Sequence, residues 1–314
     1  MTGMNPETPR EKNREPAYNL MILPTLNCQA ACRYCFGPHE GSPTMTLDTL
    51  EAVVCWQGQT GSSRKLEVTF HGGEPLLPGI SWYRMALPML REGFAPREVR
   101  FNIQSNLWAL NDDLCDLFHE YQVSLGTSLD GPEDINDAQR GQGYFQRTMA
   151  GIERARSNGL NVGVICTFTQ QSARRIDSVF DFFMEKRLGF TVHPAIQPLG
   201  HPEYNFVLPP RHYSQLLSDL IERYLKNAEK LHISTLDSMI RSISAGQGGI
   251  CTFTDCLGHY LAVDPEGWIY PCQRMAGLAA YRLGNVYDGP SLEDLQKVPI
   301  WIAMQSRQEQ INET

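Results

Sequence analysis

The residues best equipped for chemistry are three cysteines, Cys28, Cys32 and Cys35, in the run Asn27-Cys28-Gln29-Ala30-Ala31-Cys32-Arg33-Tyr34-Cys35-Phe36. Their spacing is Cys-x3-Cys-x2-Cys with an aromatic residue just before the last, and they follow the apolar run Leu20 to Pro24. Three thiolates on one short loop can hold three irons of a cubane cluster and leave the fourth open. A cluster that only carries electrons is normally closed by four cysteines. A metal position without a protein ligand is free for substrate, which makes a metal site catalytic. Two other readings compete. One is a zinc site, for which the pairing is poor and His39 is the nearby fourth ligand; the other is three inert buried thiols.

Other segments carry chemistry too. In His71-Gly72-Gly73-Glu74-Pro75 the glycines permit close backbone approach to a ligand, and Glu74 offers an acceptor for an ammonium group. Gln104-Ser105-Asn106 is a polar turn. Ser128-Leu129-Asp130-Gly131-Pro132 is followed by Arg140, twelve residues after Ser128. An arginine fork suits a carboxylate ligand, although a solvated charge on a helix is the plain alternative. Asp130 is a candidate catalytic carboxylate or a helix cap. A second cysteine group, Cys251, Cys256 and Cys272, includes Cys256-x10-Gly267-x4-Cys272, where Gly267 permits a hairpin reversal; a zinc knuckle is the structural alternative. His193 and Gln197 could face a cavity or be structural. Cys55, Cys115 and Cys166 fall in helix or strand patterns and read as structural.

These groups need a scaffold. Strand-like runs occur at 19–24, 66–71, 99–104, 123–129, 161–168 and 190–196, with helical patterns at 46–58, 80–91, 111–120, 143–158 and 173–187. Thr46 is placed to cap the first helix and Gly159 to close the fourth. Six strands separated by helices predict parallel βα units rolled into a full or partial barrel. In such a barrel the reactive groups sit at the strands' C-terminal ends, and each motif above occupies such a place. A long amphipathic helix over about 211–230 and a hairpin turning at Asp264 to Gly267 complete the pattern. The chain divides into a loose tail at 1–17, a barrel at 18–245 and a Cys-rich extension at 246–314.

The 314 residues are 42% hydrophobic and 20% charged, as in an ordinary globular protein. The net charge of −8, with no Lys/Arg-rich stretch, argues against a nucleic-acid surface. No apolar run is long enough to span a bilayer, and the polar N-terminus has no secretory-signal core. Nine cysteines without an export signal predict a reducing cytoplasm and metal chemistry.

Together the motifs resemble the radical S-adenosylmethionine (SAM) superfamily, in its SPASM/anaerobic sulfatase maturase-like branch of peptide-modifying enzymes. The resemblance spans about residues 19–290 and implies a partial (β/α)6 TIM barrel with a partial SPASM extension. It implies a catalytic 4Fe–4S cluster on Cys28, Cys32 and Cys35, and an auxiliary 4Fe–4S cluster on Cys251, Cys256 and Cys272. It assigns SAM contacts to Tyr34, Gly72, Gly73, Glu74, Asn106, Ser128, Arg140 and Ile165. Ser128 and Arg140 would meet ribose and carboxylate; Tyr34, with Val164 or Ile165, would meet adenine, although Val164 and Ile165 could equally be core. The implied reaction cleaves SAM to methionine and a 5′-deoxyadenosyl radical, which abstracts hydrogen from a peptide or protein near Asp130. A reductant such as flavodoxin or ferredoxin is implied. A separate leader-binding protein, or the barrel's own surface, would recognise the precursor, since the N-terminal tail is short.

Two departures matter. The chain reaches Thr314 near where the later SPASM cysteines should begin, so a truncated SPASM region is expected. Gln273-Arg274 stands where sulfatase maturases carry an aspartate base, and an amide is no useful base at neutral pH. That shifts the expectation from formylglycine formation toward thioether or carbon–carbon crosslinking. Formylglycine formation, a small-molecule substrate and an inactive metal-binding fragment remain as alternatives.

Overall fold

The computed structural model describes residues 18–37, 41–59, 65–199, 205–245 and 257–312. Six βα units dominate. Strands β1 (Tyr18–Thr25), β2 (Leu66–Gly72), β3 (Val99–Gln104), β4 (Ser124–Ser128), β5 (Val162–Phe168) and β6 (Phe190–Pro194) pair in parallel, each with the next. Between them lie α1 (Leu47–Gln59), α2 (Ile80–Gly93), α3 (Asp112–Glu120), α4 (Glu133–Arg140), α5 (Tyr144–Ser157), α6 (Gln170–Ala173) and α7 (Ile176–Lys186). After β6 come α8 (Pro210–Asn227) and α9 (Ser234–Ala245), then β7 (Tyr260–Val263), β8 (Trp268–Tyr270), β9 (Gly284–Asn285), α10 (Leu292–Gln296) and α11 (Pro299–Asn312).

The strand order β6-β5-β4-β3-β2-β1-β7-β8-β9 puts β6 and β9 at opposite ends, not paired with each other, so the sheet is an unclosed barrel. Strand β7 lies parallel to β1, with Leu20 beside Leu261 and Ile22 beside Val263. The extension is therefore a continuation of the barrel sheet. The reversal at Asp264–Gly267 forms as expected: Asp264 Oδ1 accepts from the amides of Glu266 and Trp268, and Gly267 sits at φ +85°. Trp56 of α1 donates to the Pro290 carbonyl at 2.8 Å, and Thr49 meets the Tyr287 hydroxyl, so α1 supports the extension from below.

Strand alternation sorts side chains by face. On β2, Leu66, Val68 and Phe70 are buried under the helices, while Glu67, Thr69 and His71 face the other way. Phe70 has no solvent exposure, meets Trp82 and Tyr83 edge-on and stacks on Phe101. The expected helix at 173–187 is split: Thr169 and Ser172 form a capping box for α6, and α7 begins only at Ile176. Helix α4 escaped the sequence reading because its eight residues are almost all polar. Thr46 caps α1 by accepting from the Thr49 amide. The expected tail at 1–17, His39, and the start of the extension with Cys251 and Cys256 lie outside the described residues.

Replacing Phe70 by alanine leaves a cavity among three aromatic neighbours and should lower unfolding stability by about 3–5 kcal/mol, read from urea denaturation. A cost below about 1 kcal/mol would place the core elsewhere.

Candidate functional site

The cysteine loop leaves β1 through Thr25-Leu26-Asn27 and is fixed before its first thiol. Asn27 Nδ2 donates to the Ser42 carbonyl at 2.7 Å, and the Ser42 amide returns a bond to Asn27 Oδ1 at 2.9 Å. The turn after β2 is tied to the same segment: Gly73 N–H donates to Thr25 O and Glu74 N–H to Asn27 O. The chains run so close that a Cβ on Gly72 would overlap the Thr25 carbonyl, and one on Gly73 those of Leu26 and Asn27. Gly72 also takes φ +109°. The glycines thus admit the approach of the cysteine loop's own backbone.

The far end of the loop hangs on Asp130, a side chain with no solvent exposure. Its Oδ2 accepts from Tyr34 Oη at 2.7 Å, Gln139 Nε2 at 2.7 Å and Arg140 Nε at 2.9 Å. Its Oδ1 accepts from Arg140 Nη2 and the Thr167 amide, both at 2.9 Å. Arg140 lies against the Tyr34 and Tyr144 rings, and its Nη1 is 3.9 Å from Cys32 Sγ. Arg140 thus pairs with Asp130 through Nε and Nη2 while still lining the cavity, and Asp130 is fully buried as its counter-ion.

One cavity gathers the rest. It is lined by Cys28, Cys32, Tyr34, Cys35, Gly72, Gly73, Glu74, Asn106, Ser128 and Arg140, all expected from sequence. His71, Gln104, Tyr144 and Gln273 line it as well. Ile165 does not, although β-pairing sets it beside Ser128; Val164 is core. Cys272 follows β8, next to the cavity-lining Gln273. Tyr144, at the first turn of α5 and four residues after Arg140, was missed; its spacing from Arg140 was the available signal.

Electrostatics inside are set by burial. Burial pushes the Cys32 thiol up to about 12, although the Arg140 guanidinium pulls it back. Cys35 is raised by burial too, opposed by the Gly37 and Phe36 amides. Glu74 is 1% exposed, and burial raises its pKa against donors from Ser105 (2.6 Å), the Asn106 amide (2.8 Å) and the Leu76 amide (2.9 Å). His71 is held neutral, its pKa lowered to about 4 by burial, and Nδ1 accepts from the Gly72 amide at 2.8 Å. Gln104 packs over the bare Cα of Gly126 and donates to Ser128 Oγ at 3.1 Å.

The donor set suits a cluster better than a lone ion. Among the described residues no three Cys, His, Asp or Glu converge tightly enough to hold one metal ion; the three thiols border a cavity instead. Thiolates at separate corners are what a multi-iron cluster uses. Asn106 Oδ1 accepts from the Trp108 amide, and its buried Nδ2 has no acceptor among the described residues. Such an orphaned donor at a cavity wall fits a bound polar ligand.

Residues 22–183 match the family model described as the radical SAM superfamily. An uncharacterized protein of Methanothermobacter thermautotrophicus is 39% identical over 234 residues, covering 74% of this chain and 88% of the relative. The cysteine-type anaerobic sulfatase-maturating enzyme of Clostridium perfringens is 24% identical over 295 residues, covering 87% and 78%. The structure of native anSMEcpe with bound AdoMet and Kp18Cys peptide superposes with a TM-score of 0.81 at 23% identity, covering 92% of this chain and 82% of that one.

Changing Asp130 to asparagine removes one charge of a buried pair and should cost about 3–5 kcal/mol of stability. Iron retained per chain after anaerobic reconstitution should fall with it, because the loop carrying Cys32 loses its anchor. Wild-type unfolding together with wild-type iron content would show that the pair does not hold the loop.

Proposed function

The chain belongs to the radical SAM superfamily, and from that premise we propose that it modifies a peptide or protein substrate, by thioether or carbon–carbon crosslinking. The observation that carries this reading is the joint placement of three thiols and the Gly72-Gly73-Glu74 turn around one cavity. Cys28, Cys32 and Cys35 would hold the 4Fe–4S cluster. Gly73, Glu74, Asn106 and Ser128 would hold SAM, with Asn106 Nδ2 as the ready donor. When bound, the two supply one-electron cleavage of the sulfonium and hydrogen-atom abstraction from the substrate. The protein's part is to orient and to exclude water.

Tyr34 and Tyr144 wall the cavity with aromatic rings, while the Asp130–Arg140 pair beneath them keeps Cys32 in place. Gln273 reaches the cavity as an amide, Glu74 is occupied by three donors and His71 is neutral. Formylglycine formation and crosslinking each release a proton, so the engagement of Glu74 and His71 does not separate them; the crosslinking reading rests on the amide of Gln273 standing where the resemblance leads one to expect an aspartate base. The sulfatase-maturating relatives keep formylglycine formation as the second reading. An auxiliary cluster at Cys251, Cys256 and Cys272, with an external reductant such as flavodoxin or ferredoxin, completes the proposal.

Two measurements test it. With a strong reductant, the reconstituted wild type should release 5′-deoxyadenosine and the Cys32→Ala variant none; equal yields end the assignment of the cluster. Iron should be roughly eight per chain and fall to roughly four in Cys272→Ala if the second cluster assembles. An unchanged count in that variant removes the auxiliary cluster from the proposal.

A further inference from the structure

The thiols of the cysteine loop do not stand in equal surroundings. Cys35 is faced by the backbone amides of its own turn, Gly37 and Phe36. Cys32 is faced by a full positive charge, with Arg140 Nη1 3.9 Å from its Sγ.

The guanidinium has little freedom to leave. Nε and Nη2 donate to Asp130, and the Tyr34 and Tyr144 rings lie 5.2 and 5.1 Å from its central carbon. With that edge taken, Nη1 is the nitrogen turned to the thiol. The side chains of Arg140 and Asp130 are 6% and 0% exposed, so their charges act largely through protein, where water screens little. The pair is also oriented. Arg140 touches Asp130 and Cys32 alike, whereas Asp130 reaches the loop through the Tyr34 hydroxyl. Burial raises the Cys32 thiol, and among the charges around it Arg140 acts most strongly, ahead of Asp130. The positive pole of the pair therefore faces the sulfur. Anchoring the loop does not require that direction; an ion pair holds a loop with either end nearest.

A cluster's sulfurs gain negative charge when it takes up an electron. Hydrogen bonds to those sulfurs and nearby positive charge favour the reduced form and raise the reduction potential. We propose that Arg140 sets the reduction potential of the cluster held by Cys28, Cys32 and Cys35, by presenting its Nη1–H and its charge to the Cys32 sulfur. This rests on the cluster assignment above. The step it favours is the gain of one electron from a ferredoxin- or flavodoxin-class donor; no bond in the protein forms or breaks. Asp130 then has two duties: it holds the cation in place and moderates its charge.

The test uses the full chain, reconstituted anaerobically and titrated without SAM, so that contacts to SAM play no part. The relevant signal is identified afterwards as the one that changes when SAM is added. Followed by EPR against potential, Arg140→Gln should weaken the reduction equilibrium about tenfold, a fall of about 59 mV in midpoint for one electron. Arg140→Lys should recover part of that fall. Asp130→Asn, which leaves the guanidinium uncompensated, should move the midpoint upward in the cluster it retains. Opposite signs are what a charge effect demands, whereas damage to the fold moves both variants the same way. Iron per chain and the unfolding midpoint accompany each titration. Where a variant loses its iron, the wild type decides alone. Grown with arginine labelled with 15N in the guanidinium, it should show a 15N coupling to the reduced cluster by pulsed EPR. Arg33, the other arginine of the loop, turns its guanidinium to the Phe206 ring. An unmoved midpoint in Arg140→Gln at wild-type iron content, shifts of one sign in both variants, or no 15N coupling overturns the inference and leaves the cluster assignment standing. A wild type without a SAM-responsive iron signal removes both.

Discussion

A carboxylate with no access to water must find a donor for nearly every lone pair, and Asp130 finds five. They come from the cysteine loop (Tyr34), α4 (Gln139 and Arg140) and β5 (Thr167), while Asp130 itself follows β4. Four separate pieces of chain are thus bound to one point. Charge-assisted bonds in a low-dielectric interior are strong when fully satisfied and costly when broken. The cysteine loop, which has no regular secondary structure of its own, takes its order at this end from that carboxylate. At its other end it takes order from the glycine turn, whose amides donate to Thr25 and Asn27.

The extension enters the design through the sheet. Strand β7 lies against β1 in parallel register and β8 returns antiparallel to it, and the turn after β8 sets Gln273 and Ala276 in the cavity lining. Contacts from Trp56 and Thr49 fix the extension from the helix side.

Much of this was legible in the residues. The six strands stood out because apolar runs broken by helical patterns are what a parallel sheet buried under helices needs, and the cavity-lining motifs fell at strand ends as barrel geometry demands. The roles of Asp130 and Arg140 were not legible. Ten residues separate them, and nothing in a sequence says that a turn and a polar helix will fold one onto the other. The parallel pairing of β7 with β1 was hidden for a related reason: it joins residues about 240 apart through edge groups that leave no local pattern. The glycines were legible as a tight place, but the partner that makes it tight is the protein's own backbone.

What the cavity lacks is as telling as what it holds. Among the described lining residues, Glu74 is the only carboxylate; burial raises its pKa, and its oxygens are taken up by donors from Ser105, Asn106 and Leu76. His71 is neutral because charging it would cost desolvation, and its Nδ1 is already taken by the Gly72 amide. A site of this kind can position a ligand and keep water out, yet offers little acid–base help near neutral pH. Its chemistry has to come from groups that move electrons, which is what three thiols at the mouth of a glycine-lined cavity are suited to recruit.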